Sequence, residues 1–98
     1  MSAPTRLTLV MLADVGREGV GAFQRYEAAV LPMLERHGGR LERRLRTADG
    51  QSEAHIVSFE SRARYDAYIA DPERARHRAL LEGVALTLRL LEVTDVGA

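Results

Sequence analysis

The chain has 98 residues, 14 basic against 14 acidic side chains, and no cysteine. That length suits one domain, and zero formal charge gives no field that would gather nucleic acid or an anionic membrane. The absence of thiols removes disulfides, cysteine nucleophiles and cysteine-rich metal sites. Hydrophobic residues at 46% and charged residues at 29% are the balance of a globular chain rather than a disordered one. The first six residues lack the apolar stretch of a signal peptide, and residues 7–13 are too few to cross a membrane. The expected compartment is the cytoplasm.

Residues 7–13 read as a strand that is apolar on both faces, with Leu7, Leu9, Met11 and Ala13 on one and Val10 and Leu12 on the other. From residue 19 to 37 the period becomes helical. Phe23, Tyr26, Val30, Leu34 and His37 form the stripe, Pro32 is expected to kink it, and Gly38-Gly39 ends it. A second strand over residues 40–47 puts Leu41 and Leu45 on one face and Arg40, Glu42, Arg44 and Arg46 on the other. A strand so polar belongs at a sheet edge.

Asp49-Gly50 marks a hairpin turn into a third strand over residues 54–59, with His55, Val57 and Phe59 on one face. Ser61 caps a helix carrying Tyr65, Tyr68 and Ile69, and Asp71-Pro72-Glu73 restarts it. A last strand over residues 85–93 is again apolar on both faces. The order β-α-β-β-α-β is the split-βαβ, ferredoxin-like α+β arrangement, with a four-stranded antiparallel sheet and both helices on one face. The other face, carrying Val10, Leu12, Leu91 and Val93, then needs cover, and a homodimer through it is expected.

Tyr26, Val30, Pro32 and Leu34, followed by His37-Gly38-Gly39-Arg40, Val57-Ser58-Phe59, Tyr68 and Asp71-Pro72-Glu73, resemble the dimeric α+β barrel superfamily. The likeness is to a branch of short bacterial proteins of unknown function related to antibiotic-biosynthesis-monooxygenase-like domains. It implies a pocket for a small hydrophobic or aromatic metabolite between helices and sheet, and no cofactor. Relatives in the superfamily include cofactor-independent monooxygenases, haem-degrading monooxygenases and muconolactone-isomerase-like enzymes. The oxygenases depend on an asparagine and a tryptophan, and this chain has neither.

His55 is the candidate catalytic residue, a neutral imidazole on a central strand that could act as general base. Tyr26, Phe59 and Tyr68 are candidate ligand contacts, and Arg43 or Arg89 would steady an enolate or carboxylate. The plainer alternative for His55 is a strand-end histidine bonded to backbone. Glu73 and His77 lie four apart on one helix face, but no second pair completes a metal site, so no metal is expected. Gly16, Gly19 and Gly21 have the wrong spacing for a dinucleotide loop. The leading functional expectation is a cofactor-independent isomerase or monooxygenase-like enzyme, and the alternative is a non-catalytic small-ligand or regulatory module. RNA binding ranks last, because the first strand has no aromatic residue and the chain has no net charge.

Overall fold

In a computed structural model describing residues 6–97, the elements follow the expected order. They are β1 (Leu7–Val15), α1 (Val20–Val30), β2 (Gly39–Arg46), β3 (Ser52–Phe59), α2 (Arg62–Ile69), α3 (Pro72–His77) and β4 (Leu86–Val93). Residues 1–5, which hold most of the stretch read for a signal peptide, and residue 98 lie outside the described residues. The strands form one antiparallel sheet in the order β2-β3-β1-β4, a ferredoxin-like α+β fold. As expected, β1 and β3 are central and β2 lies at an edge. Among the described residues no helix is long and apolar enough to cross a membrane.

The two-faced apolar pattern of β1 divides as its alternation requires. Leu7, Leu9, Ala13 and Val15 are buried, while Val10 and Leu12 are half-buried on the opposite face. Under the helices the core forms two clusters. One gathers Leu7, Leu9, Met33, Leu34, Phe59 and Tyr68; the other gathers Ala13, Val15, Phe23, Tyr26 and Val30. Each fully buried apolar side chain of this kind contributes about 1.5–3 kcal/mol.

Two local details differ from the sequence expectation. The helix expected over residues 19–37 is α-helical only to Val30 and then tightens into a 3-10 segment, Leu31–His37. Pro32 stands at the start of that segment. Lacking an N–H and crowding the preceding turn, proline cannot continue the α-helical ladder. Gly38 ends the segment at φ 68°, the left-handed conformation that favours glycine.

The second difference lies in β2. Between Leu41 and Arg43 the register slips against β3, so Leu41 pairs with Val57 but Arg43 pairs with Ile56 and Arg44 with His55. A bulge inserts one residue and reverses the alternation beyond it. Leu41 and Leu45 therefore end on opposite faces, and Arg44 and Arg46 turn toward the helices.

Two motifs noted separately in the sequence meet in space. The Asp71 side chain caps α3, its Oδ1 accepting from Glu73 N at 2.9 Å, while its Oδ2 lies 2.7 Å from His37 Nε2. Arg36 Nη1 donates to the same oxygen at 3.3 Å. The His37 contact, foremost, holds the Asp71 carboxyl below its usual range against the opposing effect of burial. One carboxylate thus ties the end of the 3-10 segment to the start of α3.

Close approach also fixes Gly39. A Cβ there would lie 2.7 Å from Cε1 of Phe59 and 3.1 Å from the Leu34 carbonyl oxygen. Phe59 is 1% exposed and has no free space to yield. Gly39→Ala is expected to destabilise the fold by about 1–3 kcal/mol, measured as a lowered urea midpoint with an unchanged slope.

Candidate functional site

The apolar stripe of α1 contains one charge. Glu27 stands four residues after Phe23 and three before Val30, so the helical period turns it toward the sheet, where it is 2% exposed. On β3 the two-residue period puts Glu53 and His55 on that same inner face, at 4% and 3% exposure. The β2 bulge brings Arg44 and Arg46 beside them. Three elements thereby assemble two carboxylates, an imidazole and two guanidiniums.

His55 Nε2 lies 2.8 Å from Glu53 Oε1 and 3.1 Å from Glu27 Oε2. Arg46 Nε donates to Glu53 Oε2 at 2.8 Å, and Arg44 Nε to Glu53 Oε1 at 3.3 Å. Arg44 Nη2 and Arg46 Nη2 approach Glu27 Oε1 at 3.1 and 3.7 Å. Both Glu27 oxygens are thus within ion-pair distance of cations, yet neither has a partner in hydrogen-bond alignment. Glu27 is held by charge rather than by directed bonds.

Burial alone would push the His55 imidazole down, but the carboxylates of Glu27 and Glu53 outweigh it and hold the ring above its ordinary value. For Glu53, burial pushes upward and is overcome by contacts with Glu27, His55 and Arg46, leaving its carboxyl well below the usual range. The cluster thus favours the anionic form of Glu53 and the protonated form of His55 relative to the free groups.

The structure places His55, the residue expected to act as general base, inside this buried cluster. Its Nε2 faces the two carboxylates, which make the ring more readily protonated than a free imidazole. The other candidates are not gathered around it. Arg43, paired with Ile56, and Arg89, paired with Leu12, stand on the sheet face away from the helices, so neither steadies an anion beside His55. Tyr26 is buried in the α1 half of the core.

Phe59 and Tyr68 pack together in the other half, with ring centroids 5.5 Å apart. The Tyr68 hydroxyl donates weakly to the Val30 carbonyl at 3.4 Å, and burial raises its phenol above the ordinary value. These aromatics fill space rather than line one chamber. Glu73, read with His77 as half of a metal pair, is instead engaged by Arg36 Nη2 at 3.1 Å.

The residues missed from sequence were Glu27, Glu53, Arg44 and Arg46. Two signals existed: a lone acid in an apolar helical stripe, and a Glu-x-His pair on a central strand. No sequence signal announced the bulge that turns the arginines inward.

No family profile matches the sequence, and no curated protein matches it. Solved structures do share the fold. A Bacteroides thetaiotaomicron VPI-5482 protein, provisionally named an antibiotic biosynthesis monooxygenase, aligns with TM-score 0.78 at 14% identity, covering 94% of this chain and 90% of that one. Rv0793 of Mycobacterium tuberculosis aligns at 0.70 with 16% identity, over 96% and 100% of the two chains. SnoaB of Streptomyces nogalater, described as a cofactor-independent oxygenase, aligns at 0.62 with 18% identity, over 93% and 95%. The chain thus has the ferredoxin-like fold of antibiotic-biosynthesis-monooxygenase-like proteins, as its motifs suggested.

The two shifted groups set opposite pH limits. His55, raised in the folded state, stabilises fully below its unfolded value near 6.5, and that stabilisation is lost as pH rises through the folded value. Glu53, lowered in the folded state, stabilises above its unfolded value near 4.5, and that contribution is lost as pH falls. Urea unfolding should therefore show greatest stability between about pH 4.5 and 6.5, with a decline on the alkaline side. That alkaline decline should be absent in His55→Gln.

Proposed function

We propose that two copies of this chain pack sheet against sheet, and that each binds a small apolar or aromatic molecule on the helix side of β4. The observation carrying the binding reading is the exposure of Leu88 at 57% and Leu90 at 49%. Both lie in register with Ala13 and Met11, on the face of β1 that the helices cover. The Arg62–Glu92 ion pair reaches from α2 to one end of β4. At the other end Leu86, with Leu81 and Val84, packs against the Ala13–Val15 half of the core. Between those ends Leu88 and Leu90 lie open to solvent, and exposed apolar surface of this kind marks an interaction site.

Dimerisation is supported by the opposite face. Val10, Leu12, Ile56, Leu91 and Val93 are only half-buried there, and Leu45 is exposed. A two-fold axis lying in the plane of the interface sets such a patch face to face with its own copy. SnoaB supports chemistry without a cofactor on this fold, although the asparagine and tryptophan of the oxygenases are absent here. A second reading, binding without turnover, is favoured by the contacts that hold His55 Nε2 against two buried carboxylates.

Sedimentation of the wild-type protein at micromolar concentration should give twice the 10.9 kDa chain mass, and Leu12→Asp should shift it to the single-chain mass. The fluorescent probe 1-anilinonaphthalene-8-sulfonate should bind the wild type, and Leu90→Asp should weaken it at least about tenfold while the dimer persists. A wild-type particle of 10.9 kDa would refute the dimer. Unchanged probe affinity in Leu90→Asp would refute the binding site.

A further inference from the structure

The buried cluster has a second capacity that is independent of the apolar floor on β4. We propose that Glu27, Glu53 and His55 form a site for a divalent transition-metal ion, held by one nitrogen and two carboxylate oxygens. Their ligand atoms all lie within 4.8 Å of one another. His55 Nε2 is 2.8 Å from Glu53 Oε1 and 3.1 Å from Glu27 Oε2. Two ligands at right angles on an ion with bonds of about 2.1 Å stand roughly 3.0 Å apart. The spacing of the imidazole nitrogen from each carboxylate oxygen therefore matches adjacent positions around such an ion, and the third spacing lies within 4.8 Å.

A second observation points the same way. Glu27 is 2% exposed, and neither of its oxygens has a hydrogen-bond partner. These oxygens meet Arg44, Arg46 and His55 at ion-pair distance but in no hydrogen-bond alignment, and an ion bonded to one of them supplies the directed contact they lack.

The arginines mostly approach from outside. Arg44 Nη2 and Arg46 Nη2 approach Glu27 Oε1, and Arg46 Nε engages Glu53 Oε2, the oxygens farther from the imidazole. Arg44 Nε alone also reaches the inner Glu53 oxygen, at 3.3 Å. Hydrogen bonds to the outer oxygens of ligating carboxylates orient them, as at many metal sites.

The donor chemistry and the local charge narrow the choice of ion. Imidazole with two carboxylates suits manganese, iron, cobalt or zinc better than calcium or magnesium. The ion takes the place of the imidazole proton. With both guanidiniums present, two positive charges then exceed the two carboxylates. The remaining coordination positions accordingly favour an anionic oxygen, such as hydroxide or a small carboxylate.

Wild-type protein stripped with chelator and titrated with manganese(II) should show paramagnetic broadening of the His55 ring resonances before those of His37 or His77. Zinc(II) at about 100 times its Kd should raise the thermal midpoint by roughly 10 °C. Glu27→Gln should weaken either ion at least tenfold. Broadening that begins at His37 or His77, no binding up to millimolar ion, or unchanged affinity in Glu27→Gln would overturn the site. Should that variant fail to fold, the order of broadening in the wild type decides alone.

Discussion

The helices lie on one face of the sheet and cover β1, β3 and the inner side of β2, while β4 carries leucines past the limit of their reach. Everything else about this molecule follows from that unequal cover. On the covered side, Phe59 and Tyr68 close one half of the core and Phe23, Tyr26 and Val30 the other. On the far side of β1, Val10 and Leu12 have no layer above them and remain half-buried. Apolar area left in contact with water costs about 25 cal/mol per Å² relative to burial. A four-stranded sheet with two apolar faces and a single helical layer thus leaves apolar area on its rear face in contact with water.

Within the covered side, the charges of Glu27, Glu53, His55, Arg44 and Arg46 constrain how α1 sits. Apolar packing tolerates small slides of a helix along a sheet. A carboxylate that must meet an imidazole and two guanidiniums tolerates far less, since a buried charge stripped of its partner costs about 3–5 kcal/mol. The contacts join α1 to β2 and β3, elements far apart in sequence. The cluster therefore specifies register, whatever its net contribution to stability. The same concentration of oxygen and nitrogen donors makes it the part of the fold best equipped for chemistry. The apolar floor on β4, by contrast, offers only shape and hydrophobicity.

Most of the architecture was readable from one sequence because it rests on local rules. The two-faced pattern of β1 placed it at the centre of the sheet, and the arginine-rich β2 marked an edge. Gly38, Ser61 and Asp71 each terminate or cap a helix through their own backbone or side-chain chemistry. The site was harder to read. His55 was visible as an ionisable residue on an inner strand face, but its neighbours determine its protonation, and none of them adjoins it in the chain except Glu53.

By itself the sequence determined the order of elements, the central and edge strands, and the apolar residues behind the sheet, because periodicity and capping act over a few residues. Only the tertiary structure decided that Arg44 and Arg46 face inward, since a one-residue bulge in the pairing of β2 with β3 reverses their side. It alone brought Glu27 against His55, and it alone withheld helical cover from Leu88 and Leu90. Such outcomes depend on where separate elements meet in three dimensions, and the spacing of residues along a strand or helix carries no record of that meeting.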